Sequence, residues 1–186
     1  MDIVKAHRDA IDSTRRYVAG VKADQLSAPT PNDEWDVAAL LGHIIYGNRW
    51  VAPLVGGRTI DDVGDSLEGD QLGPDPLTSY DASAADATAA FEAPGALAAP
   101  CAVSYGPVPG EVYAGHRFLD VLIHGWDLAV ATGQDATLDP ALVEACFEVI
   151  EPQFDALEAS GMFGTKIDVG PDADRQTQLL ALLGRS

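Results

Sequence analysis

The chain has little cysteine and no long apolar run. Its two cysteines, Cys101 and Cys146, are far apart and form no CxxC or zinc-ribbon spacing, which argues against a disulfide framework and against a thiolate metal site. No stretch approaches the roughly 18 to 20 apolar residues of a membrane span, and residues 1–5 do not resemble the start of a signal peptide. We therefore expect a cytoplasmic protein without a membrane partner.

Basic residues are also scarce. The 186 residues include 11 lysines and arginines against 29 aspartates and glutamates, a formal net charge of −18. Such an excess of negative charge opposes binding to a phosphate backbone, so we predict no nucleic-acid partner. The motifs GxGxxG, P-loop, GxSxG and HExxH are absent, which leaves dinucleotide binding, phosphoryl transfer, serine-hydrolase chemistry and zincin proteolysis without support.

What the sequence does contain is helical periodicity. The predicted helices are 2–22, one from the cap Asp36 to Gly56, 79–93, 111–131 and 140–154, with a last short helix that starts at Pro171-Asp172. An acidic loop is predicted over 58–78, and an extended or hairpin-like connector over 101–110. With 47% hydrophobic residues, this pattern predicts a single domain over 1–186. Its fold is an all-α, antiparallel four-helix bundle with an additional short C-terminal helix and irregular loops.

The most informative segment is residues 117–128, because it carries acids and histidines in a helix that is otherwise apolar almost all round. At 100° per residue, four polar side chains fall within an arc of roughly 80°; they are His116, Asp120, His124 and Asp127. A buried carboxylate without a partner costs several kcal/mol. We therefore expect a bound cation to compensate Asp120.

The spacing of these residues suggests which side chains would hold the cation. Asp120 and His124 are four residues apart, so both project from one face of the helix. His43 is our choice of third ligand, since it borders the apolar face of the second helix. His116 is the alternative, because it lies one turn before Asp120. Two imidazoles and a carboxylate leave coordination positions open, as in a catalytic site, and suit zinc, nickel, iron or manganese.

Other polar and aromatic residues near this segment have supporting roles in the prediction. Asp127 could orient a histidine ring, and Arg117 could neutralise a carboxylate or meet an anionic ligand. Arg117 is an isolated cation, since no other basic residue occurs between Arg58 and Lys166. We expect Trp126 to border a bound ligand and His7 to pack or form a hydrogen bond near the edge of the core.

Two motifs resemble those of a known superfamily. They are Trp35-Asp36-Val37 with Leu40 and His43, and the segment 117–128. Together they are similar to the signatures of the DinB-like superfamily, above all its actinobacterial branch, the mycothiol-dependent maleylpyruvate isomerase N-terminal domain and related short metal-binding proteins. The resemblance implies a four-helix bundle with a metal held at His43, Asp120 and His124. Characterised relatives use the metal to bind a thiol such as mycothiol or bacillithiol, and they often form dimers.

Three hypotheses for the function follow. The leading one is a zinc-dependent, mycothiol-type S-transferase or isomerase-like enzyme, whose partners are a small-molecule thiol and an electrophilic substrate and which could form a homodimer. The second is a non-catalytic protein that binds a metal or a small ligand. The third is a structural polar core in which Asp120, His116 and His124 are hydrogen-bonded to one another. No individual catalytic residue is predicted.

Overall fold

The computed structural model describes residues 1–32, 35–154, 164–170 and 172–186, and most of them are α-helical. The helices are α1 (Ile3–Gly20), α2 (Val37–Val55), α3 (Ile60–Val63), α4 (Pro76–Glu92), α5 (Gly110–Thr132), α6 (Pro140–Ile150) and α7 (Arg175–Leu182). Two short strands, β1 (Pro100–Val103) and β2 (Gly106–Pro109), form the sheet. The predicted all-α class is confirmed. No helix in the described part of the chain is both long and apolar enough to cross a membrane.

The chain divides into two compact units, residues 2–135 and residues 136–186 with Met1. In the larger unit, α1 packs against α5 and α4, and α2 packs against α4 and α5. Their shared core is built from fully buried aliphatic and aromatic side chains, among them Leu40, Leu41, Ile44, Ile45, Tyr80, Phe91, Phe118 and Leu122. The prediction of one domain over the whole chain stays a prediction.

Aspartate side chains cap three helices of the larger unit, α1, α2 and α4. The carboxylate of Asp36 accepts a hydrogen bond from the Ala39 amide at 2.8 Å, so the predicted start of α2 is confirmed. Helix α4 begins three residues earlier than predicted, because Asp75 caps it and Pro76 occupies its first turn. A proline is favourable there, since amides of the first turn have no partner within the helix.

The acidic segment 58–78 is more ordered than the predicted loop. It contains α3 and a following 3₁₀ turn over Gly64–Leu67. Helix α3 is closed by a capping box in which Thr59 and Asp62 each accept a hydrogen bond from the other's backbone amide. Composition alone suggested a loop because five acidic residues between positions 61 and 70 disfavour packing. The local capping bonds supply the order that the composition does not show.

The predicted hairpin-like connector is confirmed. Strands β1 and β2 pair antiparallel, with Pro100 opposite Pro109 and Val103 opposite Gly106. The hairpin leads directly into α5, whose first amide, that of Gly110, donates to the carbonyl of Ala99 at 2.8 Å. This contact fixes where the central helix begins.

Helix α5 is buried on several sides, as the segment 117–128 predicts. It packs tightly against α1 at Gly125, where an added Cβ would lie 2.2 Å from the Thr14 hydroxyl oxygen. That hydroxyl donates to the carbonyl of Val121 at 2.9 Å. The missing side chain at position 125 therefore lets α1 and α5 pack closely.

In the smaller unit, α6 packs against α7. The Arg175 guanidinium, on α7, donates twice to the carboxylate of Glu144 at 2.9 Å and lies 3.7 Å from the ring centroid of Phe147. Helix α6 ends at Ile150 and continues as a 3₁₀ turn rather than reaching Phe154 as one helix. The last helix begins at Arg175; Pro171, where we predicted it to start, lies outside the described residues.

Candidate metal centre

Helices α2 and α5 bring three potential metal ligands together. One donor atom each of His43, Asp120 and His124 lies within 4.8 Å of the other two. Nε2 of His43 is 3.1 Å and Nε2 of His124 is 3.6 Å from the same carboxylate oxygen, Oδ1 of Asp120. The structure thus assembles the three residues that the spacing argument selects.

The separations of these donor atoms fit a single small cation. Nitrogen and oxygen ligands bound tetrahedrally to zinc at about 2.0–2.2 Å lie roughly 3.3 Å from one another. The separations from Oδ1 of Asp120 to the two imidazole nitrogens, 3.1 and 3.6 Å, bracket that value. The donor set of two imidazoles and a carboxylate also matches what zinc and its neighbours prefer. Small movements of the side chains would therefore suffice to hold one ion.

His124 is oriented by a neighbour on its own helix. Nδ1 of His124 lies 3.0 Å from Oδ2 of Asp127, whose side chain is fully buried. Because a carboxylate only accepts, Nδ1 carries the proton and donates it to Asp127. The lone pair is then on Nε2, the nitrogen that faces Asp120. This is the arrangement in which metal-binding histidines are held.

Asp120 is kept ionised by the groups around it. Burial by itself would raise the pKa of Asp120, but the positive charge of Arg117, followed by the interactions of the carboxylate with His124 and His43, outweighs this effect. The pKa of Asp120 is therefore well below its usual range. Arg117 donates from Nη1 to Oδ2 at 2.8 Å, while Oδ1 faces the two histidines. The cluster thus presents an anionic oxygen between two imidazoles.

One side of the cluster is open to solvent, and an aromatic ring faces it. The side chains of His43, Asp120 and His124 are 32%, 25% and 11% exposed. The ring of Trp35 lies 4.4 Å from that of His43 and 5.4 Å from that of His124, measured between centroids. A small ligand could therefore reach the three donors beside this ring.

Trp35, which was not our choice to border a ligand, is in contact with the histidine rings of the cluster. It precedes the cap of α2, so helical periodicity gives no information on where its ring points; its only signal was its place in the Trp35-Asp36-Val37 motif. Trp126 is buried, and its predicted role beside a ligand stays a prediction.

His116 does not belong to this group. Its Nδ1 is hydrogen-bonded to the hydroxyl of Tyr105, in the β1–β2 turn, and the two rings are 5.6 Å apart. Although His116 is on the same face of α5, it is eight residues before His124, which corresponds to about 12 Å along a helix. The hydrogen-bonded Asp120–His116–His124 core of the third hypothesis is therefore not what forms, because Asp120 pairs with Arg117 and His43 instead.

The sequence analysis missed two residues of α2 that lie beside Arg117. Nη2 of Arg117 donates to Oδ1 of Asn48 at 3.1 Å, and Asn48 is fully buried. Gly47 leaves the space that the guanidinium fills, since a Cβ there would lie 2.2 Å from Nη1. A buried asparagine in an otherwise apolar helix was a signal in the sequence, whereas the role of Gly47 depends on packing between helices.

His7 is not near the edge of the core, as we predicted, but inside it. Its side chain is inaccessible to solvent, and neither ring nitrogen has a hydrogen-bond partner among the described residues. The ring packs edge-on against Phe91, with centroids 5.0 Å apart. Burial, and to a lesser degree the charge of Arg117, lowers the pKa of His7 to about 3. His7 is therefore neutral at physiological pH.

Comparison with known proteins shows the family of this chain. Residues 7–129, which include the whole His43–Asp120–His124 cluster, match the family described as "Mycothiol maleylpyruvate isomerase N-terminal domain". Uncharacterized proteins of two strains of Mycobacterium tuberculosis are 39% identical over 163 residues, which is 83% of this chain and 82% of theirs.

Two solved structures share the fold. The crystal structure of the mycothiol-dependent maleylpyruvate isomerase covers 88% of this chain and 72% of its own, with a TM-score of 0.64 and 15% identity. A histidine-to-alanine variant of it covers the same shares of both chains, with a TM-score of 0.65 and 16% identity. The match over residues 7–129 shows that this chain belongs to the mycothiol maleylpyruvate isomerase N-terminal domain family.

Proposed function

We propose that this protein binds a divalent cation through His43, Asp120 and His124, and that it is a thiol-dependent enzyme of the S-transferase or isomerase type. The observation that carries the proposal is the convergence of these three donors from two helices within 4.8 Å. Mycothiol is the thiol to test first, because the solved relatives are described as mycothiol-dependent.

The residues around the donors support a site of the catalytic type. Three protein ligands leave at least one coordination position for another molecule, and the partly exposed side chains of His43 and Asp120 support entry of such a molecule from their side. Asp127 holds the ring of His124 with Nε2 toward the ion position. A site assembled and oriented in this way requires little reorganisation when it binds a cation.

The charges of the site favour an anionic ligand at the open position. A divalent cation, the two aspartates Asp120 and Asp127 and the cation Arg117 would together carry a net charge of about +1 in a largely buried setting, where such an excess is costly. A bound cation would lower the pKa of a thiol and so supply a thiolate at neutral pH. The ring of Trp35 would cover one side of that ligand.

Several finer predictions remain part of this proposal. We favour zinc over nickel, iron and manganese, and we expect α1, α2, α4 and α5 to form an antiparallel four-helix bundle of the DinB type. A cytoplasmic location, a homodimer, the absence of nucleic-acid and membrane partners, and an electrophilic co-substrate stay predictions.

Metal analysis of protein purified without chelators tests the binding step. We expect one equivalent of metal in the wild type, and loss of that metal in His43→Ala and in His124→Ala. The matched control is His116→Ala, since His116 is on the same helix but outside the cluster. Protein without metal affinity, or equal loss in all three variants, would contradict the proposal.

Turnover is tested separately with the metal-loaded protein. Mycothiol and other low-molecular-weight thiols would be supplied with electrophiles such as maleylpyruvate, and consumption of thiol or isomerisation would be followed. Tight metal binding without turnover on any of these pairs would favour the alternative, a non-catalytic protein that binds a metal or a small ligand.

A further inference from the structure

We infer that Arg117 is a positioning residue for the proposed centre: it engages one oxygen of Asp120, so that the carboxylate offers a cation only the other. This inference rests on the proposed function, because it concerns how the same three residues would hold an ion. Arg117 would thereby determine the coordination number of a bound ion and the preference of its open position for an anionic ligand.

The two oxygens of Asp120 have different surroundings. Oδ2 accepts a hydrogen bond from Nη1 of Arg117 at 2.8 Å, whereas Oδ1 is the atom that faces Nε2 of His43 and Nε2 of His124. A charge-assisted hydrogen bond of this length between largely buried groups is strong. Asp120 is therefore prepared to donate one oxygen to a cation rather than two.

Arg117 is itself held in place by α2 and α4. Its other terminal nitrogen donates to Oδ1 of Asn48 at 3.1 Å. Nδ2 of Asn48 contacts the hydroxyl of Ser83 at 3.4 Å, and that hydroxyl donates to the carbonyl of Tyr80 at 2.9 Å. Because this chain of contacts is buried, the guanidinium cannot easily turn away from Asp120.

The space for the guanidinium depends on one glycine. A Cβ added at Gly47 would lie 2.2 Å from Nη1 and 2.6 Å from Cζ of Arg117. Such a contact is far shorter than van der Waals distance, so any side chain there would displace the guanidinium from Asp120. Gly47 thus offers a way to move Arg117 without removing its charge.

Two consequences for a bound cation follow. With Oδ2 engaged, the protein supplies three donors, and a four-coordinate ion keeps one open position. The positive charge of Arg117 also offsets the negative charge of Asp120. More of the cation's charge is then left to be balanced by an incoming anion. Arg117 would therefore favour a thiolate over a neutral ligand.

Cobalt(II) is a suitable probe, because its visible spectrum distinguishes four-coordinate from five-coordinate sites. We expect the intense bands of a four-coordinate site in the wild type. In Arg117→Gln, Oδ2 of Asp120 is released and can bind as a fifth donor, so the bands should weaken several-fold. Affinity for azide, used as the anionic probe, should fall about tenfold, because the variant lacks a positive charge close to the open position.

Two further variants separate position from charge. Gly47→Ala keeps every charge but displaces the guanidinium, so it should weaken the cobalt bands as Arg117→Gln does, with a smaller loss of azide affinity. Arg15→Gln is the matched control, since Arg15 pairs with Asp81 on the exposed surface and its loss should leave the spectrum unchanged.

The outcomes separate this inference from the proposed function. If the wild type binds no cobalt, the proposed centre is wrong, and the inference is wrong with it. If the wild type binds cobalt and Gly47→Ala or a folded Arg117→Gln keeps the wild-type spectrum and azide affinity, only the role of Arg117 is overturned. A purely structural role would lower the stability of the variants to unfolding without changing either readout.

Discussion

Nδ1 of His124 lies 3.0 Å from Oδ2 of Asp127, one turn further along α5. The same helix therefore supplies two of the proposed ligands and the group that orients one of them. Because Asp127 is fully buried, its hydrogen bond to the imidazole is shielded from water and is correspondingly strong. The orientation of His124 is thus fixed before any cation arrives.

Asp127→Asn tests this orientation. The amide has nearly the same shape as the carboxylate, but it can donate as well as accept, so it no longer determines which nitrogen of His124 carries the proton. We expect the affinity for zinc to fall about 10- to 100-fold, measured by competition with a chelating dye. Asp81→Asn, on the exposed surface, is the control. Equal zinc affinities in wild type and Asp127→Asn would contradict the prediction.

The proposed ligands could be selected from the sequence because they obey local rules. Asp120 and His124 are related by the helical repeat, and His43 lies seven residues after the cap Asp36 on a helix whose start and apolar face were both readable. Side chains placed by the geometry of one helix need no knowledge of tertiary packing. The resemblance to the DinB-like superfamily agreed with that selection.

The rest of the site depends on contacts between elements. Trp35 lies outside any helix, so its ring could not be placed beside the histidines. His116 lies on the same face of α5 as Asp120 and His124, but too far along the helix axis to join them. It is hydrogen-bonded to Tyr105, which belongs to the hairpin. Periodicity likewise gave the face of His7 but not its depth in the core.

Metal binding should stabilise the folded protein measurably. A ligand that binds only the folded state at about 100 times its dissociation constant adds roughly 2.7 kcal/mol to the free energy of unfolding. For a chain of this size, that corresponds to a rise in Tm of about 5–10 °C. We expect this rise with zinc in the wild type and in His116→Ala, but not in His43→Ala or His124→Ala. A similar rise in all four proteins would indicate that zinc binds elsewhere.

The contact between α1 and α5 gives a prediction about stability alone. In Gly125→Ala the new methyl group would meet the Thr14 side chain at 2.2–3.1 Å. Overpacking of this kind costs about 1–3 kcal/mol, which urea denaturation would detect as a lower midpoint. Adding Thr14→Ala removes Oγ1 and Cγ2 of Thr14, which would lie 2.2 and 3.1 Å from the new methyl group. The two substitutions together should therefore cost less than the sum of their separate effects. Additive costs would show that this contact does not limit the packing.

His7 should make the stability of the protein sensitive to acid. Its pKa is about 3 in the folded protein against an ordinary value of 6.5. Between those pH values the unfolded chain binds a proton at His7 and the folded protein does not. The contribution of neutral His7 to the free energy of unfolding is therefore fully present above about pH 6.5. It is lost as the pH falls toward 3, at a rate of up to about 1.4 kcal/mol per pH unit.

His7→Leu isolates this effect, because leucine has a similar volume and no titratable group. Phe91 of α4 lies against the His7 ring, and Arg117 of α5 is the charged group that disfavours its protonation; both remain in the variant. Urea denaturation from pH 7.5 to 4.5 should show a steeper loss of stability in the wild type than in His7→Leu. Parallel curves for wild type and His7→Leu would mean that His7 accepts a proton without unfolding. A ring in an apolar core, with no hydrogen-bond partner among the residues that the structure describes, should not do so.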